Sequence, residues 1–546
     1  MELAKKRKKL GYCIVVILLG MMLFLPYSLS LANAEEGLAE MKQRRKEAAH
    51  RQRRLIFNND GDDASWYCKV ATPEELLRLR TTGLAGSQVD TIFYSTCSGG
   101  FGVYSHNTKV GQVVSPEVLF TDSISKKLIE QGTDPLKIMV DFCHKNEIEI
   151  FWSMRMNDTH NASPEYTEGM LLNFLKEHTE YLLASGPGQK LRYGAWSAAN
   201  YGLKEIRDLA FKFIQEVCQN YDVDGIELDF FRHPIFFKSH SMGQTVEQQE
   251  CDLMTSLMRQ VRDMTEKEAI KRGRPLLIAV RVPDSVECCK TIGLDLVRWL
   301  EEDLIDILVP SGYWQSNPLE VSVKLGHKYG VPVYPGIVGS RYLGKGTDMR
   351  NSSLGVRGQA MNIWASGADG IYLFNFFIKH LPTDPLYREL GCPYLTQKRD
   401  KIYTTGAQAI KILKEWIPNG KKRFLNRQLV SIEQPVQLTP SRPVTIELTV
   451  GERIDTLWGK NRLPVIMSKV KLLLQIPAQM DCKTVLVKLN GTQLGTGVRG
   501  SNGTYAEFPV SNPSRVLKGV NRFEISLTPG SERNVLIQDL LLWVGN

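Results

Sequence analysis

Eight short apolar segments of β-forming residues recur between residues 54 and 395, at 55–57, 91–94, 148–152, 225–230, 276–282, 305–309, 333–334 and 371–374. Longer stretches with helical spacing lie between them, such as 203–220, 248–271 and 294–302. Apolar runs of this length, alternating with helices, belong to a parallel sheet covered on both faces. Eight such units within about 330 residues suit a closed (β/α)8 barrel. The alternative is an open doubly wound sheet, which ordinarily carries a glycine-rich turn after its first strand. Here that position reads Asn58-Asn59-Asp60-Gly61-Asp62-Asp63, which is no such turn.

The rest of the chain falls into place around this rhythm. Residues 1–34 begin with Lys5-Lys6-Arg7-Lys8-Lys9, continue with an apolar run from Ile14 to Leu25 and end in Ala32-Asn33-Ala34. That order reads as a secretory signal peptide cleaved after Ala34, so a secreted or periplasmic protein is expected, with membrane contact only if the leader is left uncleaved. Residues 35–53 are charged and read as a linker or helix, 54–395 as the barrel and 396–420 as a helical linker. From 421 to 546 strand-like runs return at short intervals, with an Asn490-Gly491 hairpin signal, and predict an all-β sandwich. The formal charge of +9 is partly carried by the leader, and no basic stripe with interleaved aromatics argues for nucleic acid. Ten cysteines, one of them in the leader, form no C-x-x-C pair. One or two disulfides are expected at most, and no zinc pattern.

In barrels of this kind chemistry sits where strands meet the loops that follow them. The polar residues there are Asn58 to Asp63 after the first strand, Arg155, Asn157, Asp158 and His160 after the third, and Glu227, Asp229, Arg232 and His233 at the fourth. Arg281 and Asp284 follow on the fifth, Tyr313 and Trp314 on the sixth, and Asn375 on the eighth. Strand side chains alternate, so Glu227 and Asp229 share a face, roughly 7 Å apart along the strand. Two carboxyl groups inside a barrel require partners, and Arg155 and Arg281 fall on the polar registers of the neighbouring strands and could supply them. Paired acids in a partly buried cleft are what glycoside hydrolysis needs, one protonated for the leaving group and one ionised. Asp229 is the expected main catalytic carboxylate, Glu227 a supporting or acid/base group and Asp284 the partner acid. Asp60, Asp62, Asp63, Arg155, Asn157, Asp158, Arg232, Arg281, Tyr313, Trp314 and Asn375 are expected to contact a sugar. No metal ligand set, cofactor motif, Ser-His-Asp elbow or phosphate loop is found.

The segment Asp224-Gly225-Ile226-Glu227-Leu228-Asp229, followed by Arg232-His233-Pro234, resembles the fourth strand of the glycosyl-hydrolase-like family 10 proteins. The resemblance implies a secreted (β/α)8 barrel acting on a polysaccharide or oligosaccharide. The segment is also similar to the D-G-x-x-x-D strand of amylase-type barrels, which implies a nucleophile at Asp229. Phe231 stands where chitinase-type barrels carry their glutamate, and the seventh strand has no carboxylate. Those departures leave a second reading open, a non-catalytic glycan-binding or cell-envelope protein on the same barrel.

Overall fold

The computed structural model describes residues 37–114, 116–310, 317–338, 347–405, 417, 430, 435–440, 442–454, 469–501, 503–531 and 534–545. The expected leader and the pair Tyr313 and Trp314 lie outside them.

Eight parallel strands form one sheet: β1 (Leu55–Asn59), β2 (Val89–Ser95), β3 (Glu149–Arg155), β4 (Gly225–Asp229), β5 (Leu277–Val282), β6 (Ile307–Pro310), β7 (Gly336–Val338) and β8 (Ile371–Phe374). Their order is β6-β5-β4-β3-β2-β1-β8-β7. The ring closes just ahead of β7, where Leu308 of β6 bridges Val333 in parallel. The Leu308 amide donates to the Pro332 carbonyl at 3.0 Å, and the Tyr334 amide donates to the Leu308 carbonyl at 2.9 Å. The sequence therefore found the closing contact at 333–334, while the seventh strand itself runs three residues later. The (β/α)8 barrel is thus present. Its strands are almost wholly buried, as the unbroken apolar runs require.

Buried ion pairs tie down the N-terminal end of the barrel. The charged stretch before β1 is a helix over residues 37–49. Its Arg45 reaches Asp306 ahead of β6 at 2.8 Å. Arg53 grips Glu149 at the start of β3 through Nε at 2.7 Å and Nη2 at 3.0 Å. The opposite, C-terminal end is left for the loops.

After the barrel come antiparallel strands: β9 (Lys401–Thr404), β10 (Val436–Leu438), β11 (Val444–Val450), β12 (Lys469–Gln475), β13 (Val485–Leu489), β14 (Thr492–Gln493), β15 (Val498–Arg499), β16 (Tyr505–Pro509), β17 (Gly519–Leu527), β18 (Val535–Ile537) and β19 (Asp539–Gly545). One sheet has the order β9-β19-β12-β16-β15, another β11-β17-β13-β14, and β10 pairs with β18. Leu472, Leu474 and Phe508 of the first sheet meet Ile446, Val487 and Phe523 of the second in one apolar core, which makes this a sandwich. The Asn490-Gly491 turn has φ values of 48° and 81°, and Leu489 pairs with Thr492 across it. Two expectations need correcting. Part of the presumed helical linker, β9, is a strand of the sandwich, paired with β19. The nine described cysteines are all free thiols, so no disulfide forms among them.

The sandwich packs on the helix Ser353–Ala365 that leads into β8. Gly358 is pressed against the Ile402 carbonyl so closely that a Cβ would sit 2.0 Å from it, and Gly451 meets Met361 in the same way at 2.2 Å. Ahead of that helix, Arg350 forms a two-pronged ion pair with Asp539 of β19, one contact at 2.8 Å, and both side chains are almost fully buried. The Tyr505 hydroxyl also donates to Asp539, at 3.0 Å. Removing one partner of such a pair strands a buried charge, at a cost of about 3–5 kcal/mol. Asp539→Ala is therefore expected to lose about that much stability in urea unfolding, and the Arg350→Met/Asp539→Leu double variant to recover most of it.

Candidate active site

At the mouth of the barrel the register aligns Arg155 of β3, Asp229 of β4 and Arg281 of β5 in one row. One pleat deeper the row is Ser153, Glu227 and Ala279. The two carboxyl groups of β4 consequently meet different surroundings.

Asp229 accepts from Arg281 Nη1 at 2.7 Å on one oxygen and from the Phe231 amide at 2.8 Å on the other. The Arg281 guanidinium lies 3.7 Å from the centre of the Phe374 ring of β8, which fixes its plane by a cation–π contact. Glu227, wholly buried, receives the Tyr372 hydroxyl of β8 at 2.8 Å and pairs with Ser153 on its other oxygen. Burial, reinforced by the charge of Asp229 above, pushes the Glu227 carboxyl up to about 8. Glu227 is therefore neutral at pH 7 while Asp229 is ion-paired. Of the two arginines expected to partner the β4 acids, Arg281 serves Asp229, while Arg155 turns to the β1 side and neither pairs with Glu227.

Arg155 bridges Asp60 at 2.8 Å and Asp158 at 2.6 Å. Arg232 adds a longer contact to Asp60 at 3.4 Å. Burial opposes the charge on Asp60, but Arg155, Arg232 and Arg80 outweigh it and hold this carboxyl well below the usual range. Asp158 is likewise held low against burial, by His160 and then Arg155. His160 Nδ1 contacts Asp158 Oδ1 at 2.6 Å, and His233 Nδ1 stands 3.6 Å from the same oxygen. Burial keeps His233 well below the ordinary histidine value.

The other expected residues are placed as follows. Asp62 pairs with Arg80, whose guanidinium stacks 4.0 Å from the centre of the Phe377 ring. Asp63 is fully buried beside Asn59, and burial raises it to about 6. Asn157 donates to the Ala199 and Ile235 carbonyls at 3.0 and 2.6 Å and accepts from the Ala199 amide at 3.0 Å, so its amide braces two loops. Asp284 accepts from the Asn317 amide at 2.9 Å. Asn375 adopts a left-handed backbone, φ 49°, at the end of β8, and its buried Oδ1 meets no partner among the described residues. Strand-end listing missed Ser153, Tyr372 and Arg80. The first two sit one pleat below the mouth, and Arg80 follows the helix Pro73–Arg78, outside any strand. For Tyr372 a signal existed: it shares a face with Phe374.

The ion-paired and the neutral carboxyl group stand at the C-terminal ends of the strands, where barrels of this architecture place their chemistry. Residues 59–324 match the model of the family Glycosyl hydrolase-like 10, which bears out the resemblance carried by Asp224 to Pro234. Glycosyl hydrolase YngK of Bacillus subtilis (strain 168) is 22% identical over 213 residues, covering 34% of this chain and 40% of that protein, less than half its length. Solved structures similar to this chain include alpha-L-fucosidase isoenzyme 2 from Paenibacillus thiaminolyticus, 12% identical with a TM-score of 0.38, covering 64% of this chain and 49% of that one. A glycoside hydrolase family 18 N-acetylglucosaminidase from Paenibacillus barengoltzii is 12% identical with a TM-score of 0.35, covering 64% of this chain and 99% of that one. The fold stands on the strand order above, independently of these likenesses.

The raised Glu227 has a consequence for stability. The folded chain holds this proton where the unfolded chain, with an ordinary carboxyl near 4.5, has released it. The favourable contribution of a neutral Glu227 is therefore complete below the unfolded value and is lost as pH rises towards about 8. Asp63 acts in the same sense but only up to about 6. Thermal melts of Glu227→Gln are expected to lose the wild-type decline in melting temperature between pH 6 and about 8, and below pH 6 to keep only the shallower decline that Asp63 contributes.

Proposed function

We propose that this chain is a secreted glycoside hydrolase acting on a polysaccharide or oligosaccharide, with Asp229 as its reactive carboxylate. The observation that carries the reading is the setting of Asp229. It stands at the end of β4, charged, aimed by one arginine and one backbone amide, in a barrel whose sequence matches a glycosyl hydrolase-like family. A carboxylate held in this way suits attack on, or electrostatic support of, an oxocarbenium-like sugar centre. Glu227 acts from below. Closed off by Ser153 and Tyr372, it stays neutral, adds no second negative charge and so leaves Asp229 paired with Arg281. Carbohydrate is the proposed substrate class, in keeping with the printed names of the similar proteins.

A second reading keeps its place because of one observation. Asp60, Asp158 and Asp284 are each already held by arginines, histidine or backbone donors, so none of these three described acids stands uncommitted as a partner for Asp229. A barrel that binds glycan without cleaving it fits that arrangement.

Reducing-sugar release from a panel of plant, algal and bacterial polysaccharides separates the two. Wild type is expected to release sugar, and Asp229→Asn to lose at least about a hundredfold in rate while circular dichroism at the assay temperature shows it still folded, with a melting temperature lowered by the loss of the buried Arg281 pair. Absence of release from every glycan, together with retention of the protein on one of them in affinity electrophoresis, would establish the binding reading instead.

A further inference from the structure

On the β3–β4 side of the mouth, Asp158, His160 and His233 converge from two loops. One ligand atom of each lies within 4.8 Å of the other two. The set is one carboxylate oxygen and two imidazole nitrogens. Asp158 Oδ1 is 2.6 Å from His160 Nδ1 and 3.6 Å from His233 Nδ1. The two imidazole rings meet edge to face with centroids 4.8 Å apart. Ligands about 2.0–2.1 Å from a tetrahedral ion stand about 3.3 Å from one another. His160 has 42% of its side chain exposed, so it can swing outward by the fraction of an ångström this requires.

The surroundings are those of a supported ligand set. The carboxyl group of Asp158 is fully buried and oriented twice over. Arg155 holds its Oδ2 at 2.6 Å, and the His160 amide donates to its Oδ1 at 3.0 Å. Arg155 is fixed in turn by Asp60. Outer contacts of this kind set the direction of a metal-ligating side chain. The Thr159 amide donates to His233 Nδ1 over 3.2 Å, a long bond that a metal ion would replace. Three protein ligands, one of them 42% exposed, leave a fourth position of a tetrahedral ion unfilled. Structural sites are closed by a fourth side chain, whereas an open position receives water or an outside oxygen ligand.

We propose that Asp158, His160 and His233 form a divalent transition-metal site, taking Zn2+ by its N2O donor type, with its fourth position open. Two acids and two arginines, Asp60 and Asp158 with Arg155 and Arg232, already balance one another there. The ion would therefore bring uncompensated positive charge, and its open position favours an anionic or strongly polarised oxygen ligand. The proposal stands whether or not the barrel cleaves glycans, because it concerns binding alone.

The test uses the full chain, freed of metal with a chelator. Calorimetric titration with zinc sulfate is expected to show one saturable site per chain. Affinity should fall more than about tenfold in His160→Ala and again in His233→Ala. Titration with Co2+ identifies the ligands: visible d–d bands without intense sulfur charge-transfer absorption are expected. Absence of saturable Zn2+ binding by the wild type would overturn the proposal. So would affinity unchanged by His160→Ala, or strong sulfur bands, which would transfer the ion to a cysteine. His160 is exposed enough that its removal leaves the fold intact, so the test holds even where His233→Ala fails to fold.

Discussion

Two carboxyl groups on the same face of one strand, inside a barrel, cannot both be left charged without cations to match. Of the two arginines at the level of the upper acid, Arg155 and Arg281, Arg155 turns to other acids. Arg281 lies in register with Asp229, so it meets the upper acid, while the lower acid meets only hydroxyl groups. The consequence is a division of labour on β4: Asp229 is ion-paired at the mouth, and Glu227 is neutral beneath it. The neutral state of Glu227 is also what keeps Arg281 committed upward. A charged Glu227 would compete for the same guanidinium from a fully buried site. The arrangement of Ser153, Tyr372 and Phe374 follows from that need, since each either satisfies the neutral acid or fixes the arginine.

A second charge network occupies the opposite flank. Arg155 shares the level of Asp229 yet turns away from it to join Asp60 and Asp158. Had Arg155 paired with Asp229 as well, Asp60 would lean on the longer Arg232 contact and Asp158 on His160, a weaker compensation for two buried acids. The two networks therefore split the mouth into a β4–β5–β8 side built around one carboxylate and a β1–β3–β4 loop side rich in histidine. A ligand entering the mouth meets an acid on one wall and imidazoles on the other.

How much of this was legible in the sequence differs by level. The barrel was legible because a parallel strand buried on both faces leaves an unbroken apolar run, and seven of the eight runs overlap their strands. The seventh did not, because β7 is three residues long, follows Pro335 and opens on Gly336; the stronger signal came from Val333, which closes the ring. Alternation on β4 placed Glu227 and Asp229 on one face. What alternation cannot supply is register. Which arginine meets which acid depends on how β3, β4 and β5 slide past one another, and that is set by packing rather than by any one strand's residues. The partners of Asp284 and Asn157 were hidden for a related reason, as they are backbone groups of loops dozens of residues away. The strand β9 escaped notice because its four residues pair with the very end of the chain.

The sandwich bears on the site through a short mechanical path. It packs on the helix Ser353–Ala365 by backbone-close contacts at Gly358 and Gly451, and the Arg350–Asp539 pair locks the turn ahead of that helix. The helix runs straight into β8, whose Tyr372 and Phe374 reach across the barrel to Glu227 and Arg281. A shift of β8 by half an ångström would lengthen the Tyr372–Glu227 hydrogen bond and uncover the Arg281 plane together. Asp229 is held by Arg281, so its aim depends on β8, and β8 is braced by the second sheet system. The sandwich is thus part of the frame that keeps Asp229 in place.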